Sequence, residues 1–161
     1  MEELLALVTN YILLVPGFTW LAVQIVKTIV DAIVNKKIQW SRLFGDGGMP
    51  SGHSATVMSL ACMVGFREGF ESAAFAVSMI LAIIVMHDAL GVRRETGKQA
   101  ASIISMAAVI NDYLKEHDAN IKTDKLKVLV GHTPLQVVCG ALFGIASAIL
   151  ANFVILPAIG V

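Results

Sequence analysis

The feature that most restricts the fold of this chain is a set of apolar stretches, over 4–34, 51–66, 72–90 and 134–156. An α-helix needs about 20 apolar residues to cross a hydrocarbon core of roughly 30 Å. The mean hydropathy of +0.76 and a charged fraction of 15% exclude an ordinary soluble domain. We therefore predict an all-α integral membrane bundle of about four to five transmembrane helices, in a single domain over 1–161.

Two patterns predict where helices begin. Pro16 and Gly17 interrupt the first apolar stretch, which favours a short N-terminal piece followed by a spanning helix from about Phe18. Thr96 and Gln99 have the spacing of a capping box that opens a further helix, amphipathic and outside the bilayer on the cytoplasmic side. Because four short helices make a thin bundle, a homodimer that buries more apolar surface is an alternative to a monomer.

The distribution of basic residues predicts the orientation in the membrane. The turn after the second helix carries only Arg67. The two longer connecting segments carry Lys36, Lys37, Arg42, Arg93, Arg94, Lys98, Lys115, Lys122, Lys125 and Lys127. Because cytoplasmic segments are enriched in lysine and arginine, we place these two segments in the cytoplasm. We expect the protein to lie in the membrane and to bind no nucleic acid.

The first long helix carries a polar stripe, in which Gln24, Lys27, Asp31 and Asn35 recur at spacings of three and four. Such spacing aligns side chains along one helix face. A polar stripe in a membrane helix faces protein or water, so these residues are candidates for a site. Trp20 is interpreted as an interfacial or packing aromatic.

A glycine-rich cluster, GGMPSGHS, opens the second helix. Gly48 and Gly52 let backbone N–H groups approach an anion, and a helix N-terminus favours phosphate. Ser51 is the expected N-cap, and His53 in the first turn is a candidate general acid. A glycine-rich turn with a capping histidine remains the alternative interpretation.

Two further clusters lie on the same predicted side. Arg93 and Arg94 follow the third helix and have the side chains suited to clamping phosphate oxygens, with Asp88 expected to orient them or a histidine. The arginines also fit topology signals or lipid-headgroup contacts. His132 enters the last helix, so its imidazole is a candidate nucleophile.

The strings GGMPSGHSA, DALGVRRETGKQA and GHTPLQV resemble a divergent, compact bacterial branch of the type 2 phosphatidic acid phosphatase superfamily, which shares its fold with vanadium-dependent haloperoxidases. The resemblance covers about 24–144. It implies hydrolysis of a phosphate ester through a phosphohistidine, with no metal and no cofactor. His132 then corresponds to the nucleophile and His53 to the acid that protonates the leaving group.

The same resemblance implies a set of phosphate-binding residues. Ser51 and Gly52 match phosphate-contacting positions, and Lys27 is the best candidate for the lysine of the first motif. Arg93 or Arg94 matches the family's arginine.

Two departures from the family pattern bear on activity. The segment 95–131 separates the arginines from His132, where the pattern has only a few residues. Gln136 stands one turn after His132, where a carboxylate is expected to hold the imidazole. The Gln136 amide oxygen is able to accept the ring N–H bond but adds no negative charge. We therefore expect slower phosphoryl transfer, or a carboxylate supplied instead by Asp46, Asp88 or Glu95.

The leading hypothesis is a lipid-phosphate or polyprenyl-phosphate phosphatase in the bacterial cytoplasmic membrane, with its active site facing the cytoplasm. A second hypothesis is a catalytically weak relative that binds a phosphorylated headgroup in transport, regulation or assembly. Vanadate-dependent halide oxidation uses the same kind of anion pocket, but a small membrane bundle is a poor setting for it.

Overall fold

The computed structural model describes residues 1–37, 48–114, 121–123, 126 and 131–160, and every regular element within them is helical. The helices are α1 (Glu2–Val8), α2 (Tyr11–Asn35), α3 (Gly52–Glu68), α4 (Ala73–Leu90), α5 (Val92–Leu114), α6 (Pro134–Leu150) and α7 (Leu156–Ala158). A π-helical turn, Ala151–Ile155, joins α6 to α7.

Three runs of helix are long and apolar enough to cross a membrane: Tyr11–Asn35, Ala73–Leu114 and Pro134–Ala158. The central helix α3 has 17 residues, at the lower end of the length that a span requires. Large apolar side chains such as Val77 (70% exposed) point away from the bundle, as expected where the solvent is hydrocarbon. The predicted helical membrane bundle is confirmed.

Helix α2 is continuous through Pro16, so the predicted break before Phe18 is wrong. The helix begins earlier because the side chain of Asn10 accepts hydrogen bonds from the backbone N–H groups of Ile12 (3.0 Å) and Leu13 (3.3 Å). Pro16 therefore falls early in the helix, where its missing N–H removes a single intrahelical bond.

Helix α5 begins at Val92, so the capping box predicted at Thr96 is also wrong. The Glu95 N–H already donates to the carbonyl of Gly91 at 3.0 Å. The Thr96 hydroxyl donates back to the carbonyl of Val92 at 2.9 Å, which is how a threonine inside a helix satisfies its side chain. Only Gly91 separates α4 from α5.

The C-terminal end of α6 widens at the π-helical turn. The Leu156 N–H donates to the carbonyl of Ala151, five residues back. Pro157 has no N–H to offer the carbonyl of Phe153, which favours this wider pattern. An apolar groove of about 330 Å³ lies between this turn and 11–22 of α2.

Helix α3 lies at the centre of the bundle and packs against α2, α4 and α6. Its approach to α6 is close because Gly140 and Gly144 have no side chains. A Cβ on Gly140 would collide with the carbonyl oxygen of Ser51, and one on Gly144 with that of Ala55. Small residues four apart are the usual means by which membrane helices pack closely, since van der Waals contact drives their association.

Four phenylalanines pack together at the end of the bundle where α3 ends. The ring of Phe66 at the end of α3 makes edge-to-face contacts with Phe70 (5.8 Å between centroids) and Phe153 (5.3 Å). Phe70 in turn contacts Phe75 of α4 at 5.1 Å. These contacts join the end of α3, the start of α4 and the π-helical turn that follows α6, so packing defines this end of the bundle.

We predict that Gly144→Ala lowers the stability of the bundle by about 1–3 kcal/mol, the usual effect of overpacking a well-packed contact. The added Cβ forces α3 and α6 apart at the carbonyl of Ala55. Thermal unfolding in detergent measures the effect. Gly17→Ala in α2 is the matched control, because its Cβ enters open space. Equal unfolding temperatures for the two variants would contradict the proposed packing.

Candidate functional site

Hydrogen bonds between backbone groups gather three of the predicted motifs at one end of the bundle. The Ser51 N–H donates to the carbonyl of Gln136 at 3.0 Å, which ties the start of α3 to the start of α6. The His132 N–H donates to the carbonyl of Ala89 at 3.1 Å, which ties the approach to α6 to the end of α4. Three sequence-distant segments therefore meet at the N-terminus of α3.

The two candidate catalytic histidines lie side by side. The ring centroids of His53 and His132 are 6.1 Å apart, and the rings are nearly perpendicular at 85°. His132 is buried (3% exposed), whereas His53 is half-buried. An imidazole that attacks phosphorus and a second one that protonates the leaving oxygen need their reacting nitrogens roughly 7–8 Å apart, a distance within reach of rings whose centroids are 6.1 Å apart. The separation is thus suited to one phosphoryl group between two imidazoles.

Lys27 brings a buried ammonium group to the same place. Its Nζ atom lies 3.5 Å from the position that a Cβ on Gly52 would occupy. Its methylene groups pass Gly48, where Cδ lies 3.9 Å from the corresponding Cβ position. The side chain is only 8% exposed. A lysine charge beside the first residue of α3 adds to the positive end of the helix, and both favour an anion.

The glycines keep that space open. Gly52 is the first residue of α3, and a side chain there would stand between the helix N-terminus and the ammonium group. Gly48 has a φ of 83°, a left-handed conformation that suits glycine. A pocket of about 170 Å³ lies beside Lys27, between the last turns of α2 and the backbone at Gly48 and Met49.

Ser51 is fully buried and caps α3, as predicted. Its hydroxyl oxygen accepts the Ser54 N–H at 3.3 Å and lies 3.0 Å from the Ser54 hydroxyl, which donates to it. The cap fixes the direction in which α3 begins and therefore where His53 projects. Contact between Ser51 and a phosphate stays a prediction.

Gln136 is used for capping in this structure. Its amide oxygen, which we considered as an acceptor for the His132 ring, accepts the Thr133 N–H at 2.9 Å. The Thr133 hydroxyl in turn accepts the Gln136 N–H at 3.3 Å. This reciprocal pair is a capping box that starts α6.

The structure describes only some of the side chains of the predicted arginines and carboxylates. Asp88 is half-buried in the last turn of α4, next to the Ala89 carbonyl that binds His132. Arg94 is exposed in the first turn of α5, and the side chain of Arg93 lies outside the described residues. The site as described therefore contains the two histidines and Lys27, while binding of phosphate by either arginine stays a prediction.

The two other carboxylates considered for His132 do not gain support. Glu95 is exposed and pairs with Lys98, whose Nζ lies 2.6 Å from Oε1. Asp46 lies outside the described residues. Among the residues that the structure describes, no group of three or more His, Cys, Asp or Glu is placed to hold a metal ion.

Sequence reasoning missed one site neighbour and undervalued another. Trp20 Cδ1 and Nε1 lie 3.7 and 3.9 Å from the Cβ position of Gly52, so this indole borders the site. Gln24, noted only as part of the polar stripe, is 4% exposed. Their spacing was the signal in the sequence: Trp20, Gln24 and Lys27 are four and three residues apart, which places all three on one face of α2.

Two comparisons with known proteins find relatives of this chain. The profile of a family described as the "Divergent PAP2 family" matches residues 8–147. The uncharacterized membrane protein YuiD of Bacillus subtilis (strain 168) is 40% identical over 154 residues, which cover 91% of this chain and 98% of that protein. No solved structure matches.

We predict that Gly52→Ala preserves the fold but weakens the binding of orthovanadate, an anion of phosphate-like shape. The new Cβ meets Lys27 and Trp20 at ordinary contact distances of 3.5 and 3.7 Å, so the unfolding temperature should change little. The methyl group nevertheless occupies the space beside the ammonium. A rise in Kd of about tenfold, or about 1.4 kcal/mol, is expected by calorimetry. An unchanged Kd would argue against an anion site at Gly52.

Proposed function

Because this chain belongs to the divergent PAP2 family, we propose that it is a membrane phosphatase that hydrolyses a lipid phosphate or a polyprenyl phosphate or diphosphate. The reaction proceeds through a phosphohistidine at the cytoplasmic face of the bacterial cytoplasmic membrane. The observation that supports it most is the pair of imidazoles, 6.1 Å apart, at a helix N-terminus that also receives the Lys27 ammonium.

Each histidine has one task in the first half of the reaction. A ring nitrogen of His132 attacks phosphorus and forms a P–N bond, while the bond from phosphorus to the lipid oxygen breaks. His53 donates its proton to that departing oxygen, so the lipid leaves as an alcohol. With a diphosphate, the leaving group is the lipid monophosphate instead.

The second half reverses the proton transfer. His53, now neutral, accepts a proton from water as that water attacks the phosphohistidine. The P–N bond breaks, inorganic phosphate forms and His132 is released for another cycle. The half-buried position of His53 agrees with this role, since His53 needs contact with water while the buried His132 does not.

Lys27 and the first turn of α3 stabilise the transferring group. Negative charge on the phosphoryl oxygens faces the ammonium and the free backbone N–H groups of the helix start. These charges and dipoles are held in place before substrate arrives, because Lys27 is buried and Ser51 caps the helix.

A second candidate function, binding of a phosphorylated headgroup without turnover, is favoured by Gln136. A neutral amide occupies the position where the family pattern expects a carboxylate, and its oxygen accepts the Thr133 N–H. Without a negative partner, the positive ring formed during proton transfer is less stabilised. This protein then holds the lipid phosphate but transfers the phosphoryl group slowly.

We predict that the purified protein releases inorganic phosphate from phosphatidate, phosphatidylglycerol phosphate or undecaprenyl diphosphate in detergent. His132→Ala should abolish release, and His53→Ala should lower kcat by about 10²–10⁴-fold, the usual contribution of a general acid. His87→Ala, exposed on α4, is the control and should retain wild-type rates. Activity that survives His132→Ala would rule out the phosphohistidine route.

The variant Gln136→Glu separates the two candidate functions. If the protein is a working phosphatase, a carboxylate here should change kcat modestly, because the capping box tolerates glutamate as well as glutamine. If wild type binds these lipids without turnover and Gln136→Glu confers phosphate release, the binding function is correct. Binding is measured by native mass spectrometry and release by a phosphate assay on the same preparations.

A further inference from the structure

The indole of Trp20 brings a hydrogen-bond donor to the candidate site. Its Cδ1 and Nε1 atoms lie 3.7 and 3.9 Å from the position that a Cβ on Gly52 would occupy, and Lys27 Nζ lies 3.5 Å from the same position. Among the residues that the structure describes, none accepts a hydrogen bond from the indole N–H. Two nitrogen donors, one neutral and one charged, therefore border one space at the first residue of α3.

The geometry of α2 explains how these two side chains converge. Trp20 and Lys27 are seven residues apart, which is close to two helical turns, so they lie on one face of the helix. The Cα–Cβ bonds of a helix tilt toward its N-terminus, so the long Lys27 side chain leans back toward Trp20. Both nitrogens lie within 4 Å of one point, close enough for each to donate to a different oxygen of a single phosphoryl group.

The depth of Trp20 does not suit an interfacial aromatic. Tryptophans of the interfacial belts lie near the ends of spanning helices, whereas Trp20 is the tenth residue of the 25-residue helix α2. At that depth the surroundings are protein and hydrocarbon, in which an N–H without an acceptor is unfavourable. A ligand that places an acceptor oxygen beside Gly52 removes this cost.

A phosphoryl group suits the two donors together. Its oxygens are strong acceptors, and they carry the negative charge that the Lys27 ammonium and the start of α3 attract. Hydrogen bonds to a charged acceptor are stronger than those to a neutral one, and a low local dielectric strengthens them further. The hydroxyl or ester oxygen of a neutral lipid also accepts an N–H but makes no use of the ammonium charge.

We propose that Trp20 is a phosphate-binding residue, whose indole N–H donates to an oxygen of the phosphoryl group that Lys27 also binds. This inference rests on the proposed function, because it adds a binding residue to the same site. The indole donates equally before and during phosphoryl transfer, so it contributes to substrate binding and to positioning phosphorus for His132. Trp20 takes no part in proton transfer, because an indole is a donor only.

The first test removes the N–H and keeps the ring. In a Trp40→Phe background Trp20 is the only tryptophan, and benzothienylalanine incorporated in its place has the same bicyclic shape with sulfur instead of N–H. We expect the Kd for orthovanadate, measured by calorimetry in detergent, to rise about tenfold, the effect of one hydrogen bond to a charged group. The unfolding temperature should not change.

Phe18→Leu in the same background is the matched control. Phe18 precedes Trp20 by two residues, so it lies on the opposite face of α2, where its exposed ring (66%) lines the apolar groove. This variant should bind orthovanadate as the background protein does. An unchanged Kd in the benzothienylalanine protein would overturn the inference.

A spectroscopic measurement reports the hydrogen bond directly. When the indole nitrogen is isotope-labelled, the single-tryptophan protein gives one N–H cross-peak by nuclear magnetic resonance. Bound orthovanadate should shift this proton downfield, because the N–H then donates to an anionic oxygen. A cross-peak that stays in place while calorimetry shows binding also overturns the inference.

Turnover separates this inference from the phosphatase proposal. If wild type hydrolyses a lipid phosphate, Trp20→Phe should raise KM about tenfold with kcat nearly unchanged, the result of losing an interaction made equally in the ground and transition states. A lower kcat at unchanged KM contradicts the assigned role. If wild type binds orthovanadate but hydrolyses no lipid phosphate, the phosphatase proposal fails, and the cross-peak and the Kd still decide the role of Trp20. If wild type binds no orthovanadate, the inference fails as well.

Discussion

The close contact between α3 and α6 is the constraint on which the candidate site depends. Gly140 and Gly144 let the backbone of α6 approach the first turn of α3 at Ser51 and Ala55. In a bilayer no hydrophobic effect draws two apolar helices together, so association depends on close contact between small residues. The glycines therefore determine how far the segment before α6, with His132, lies from the segment that opens α3, with His53.

Hydrogen bonds at this end convert the packing into a defined geometry. Ser51 binds the carbonyl of Gln136, and His132 binds that of Ala89, so the loop before α6 is held from two sides. Both bonds use backbone groups, and the imidazole of His132 lies edge-to-face with that of His53. Lys27 comes from α2, a helix joined to α3 by the contact between the hydroxyls of Thr19 and Ser59 at 3.2 Å. The site is thus built from several helices whose relative positions are set by small residues.

Local signals in the sequence predicted the elements near the site well. Ser51 marked the start of α3 correctly, because a capping side chain acts on its own helical turn. Prediction failed where two local signals competed. Asn10 capped α2 ahead of Pro16, and Gly91 let α5 begin before Thr96.

Other features of the site were beyond reach of local patterns. The approach of His53 to His132 depends on packing between segments about eighty residues apart, for which motif order gave only an expectation. Trp20 was interpreted as an interfacial aromatic because its contact with Gly52 exists only in three dimensions. Whether Gln136 holds His132 was equally undecided, since its amide oxygen had two acceptable partners and the structure assigns it to Thr133.

The π-helical turn of α6 has a consequence for the whole length of this helix. Residues spaced by four drift slowly around a helix of 3.6 residues per turn, so the line through Gly140, Gly144 and Ala148 turns gradually away from α3. The widened turn at Ala151–Ile155 rotates the chain back, and Leu156 is buried beside Met63 and Ala148. One additional residue at this turn therefore keeps the helical run after α6 packed against α3 at the end of the bundle remote from the histidines.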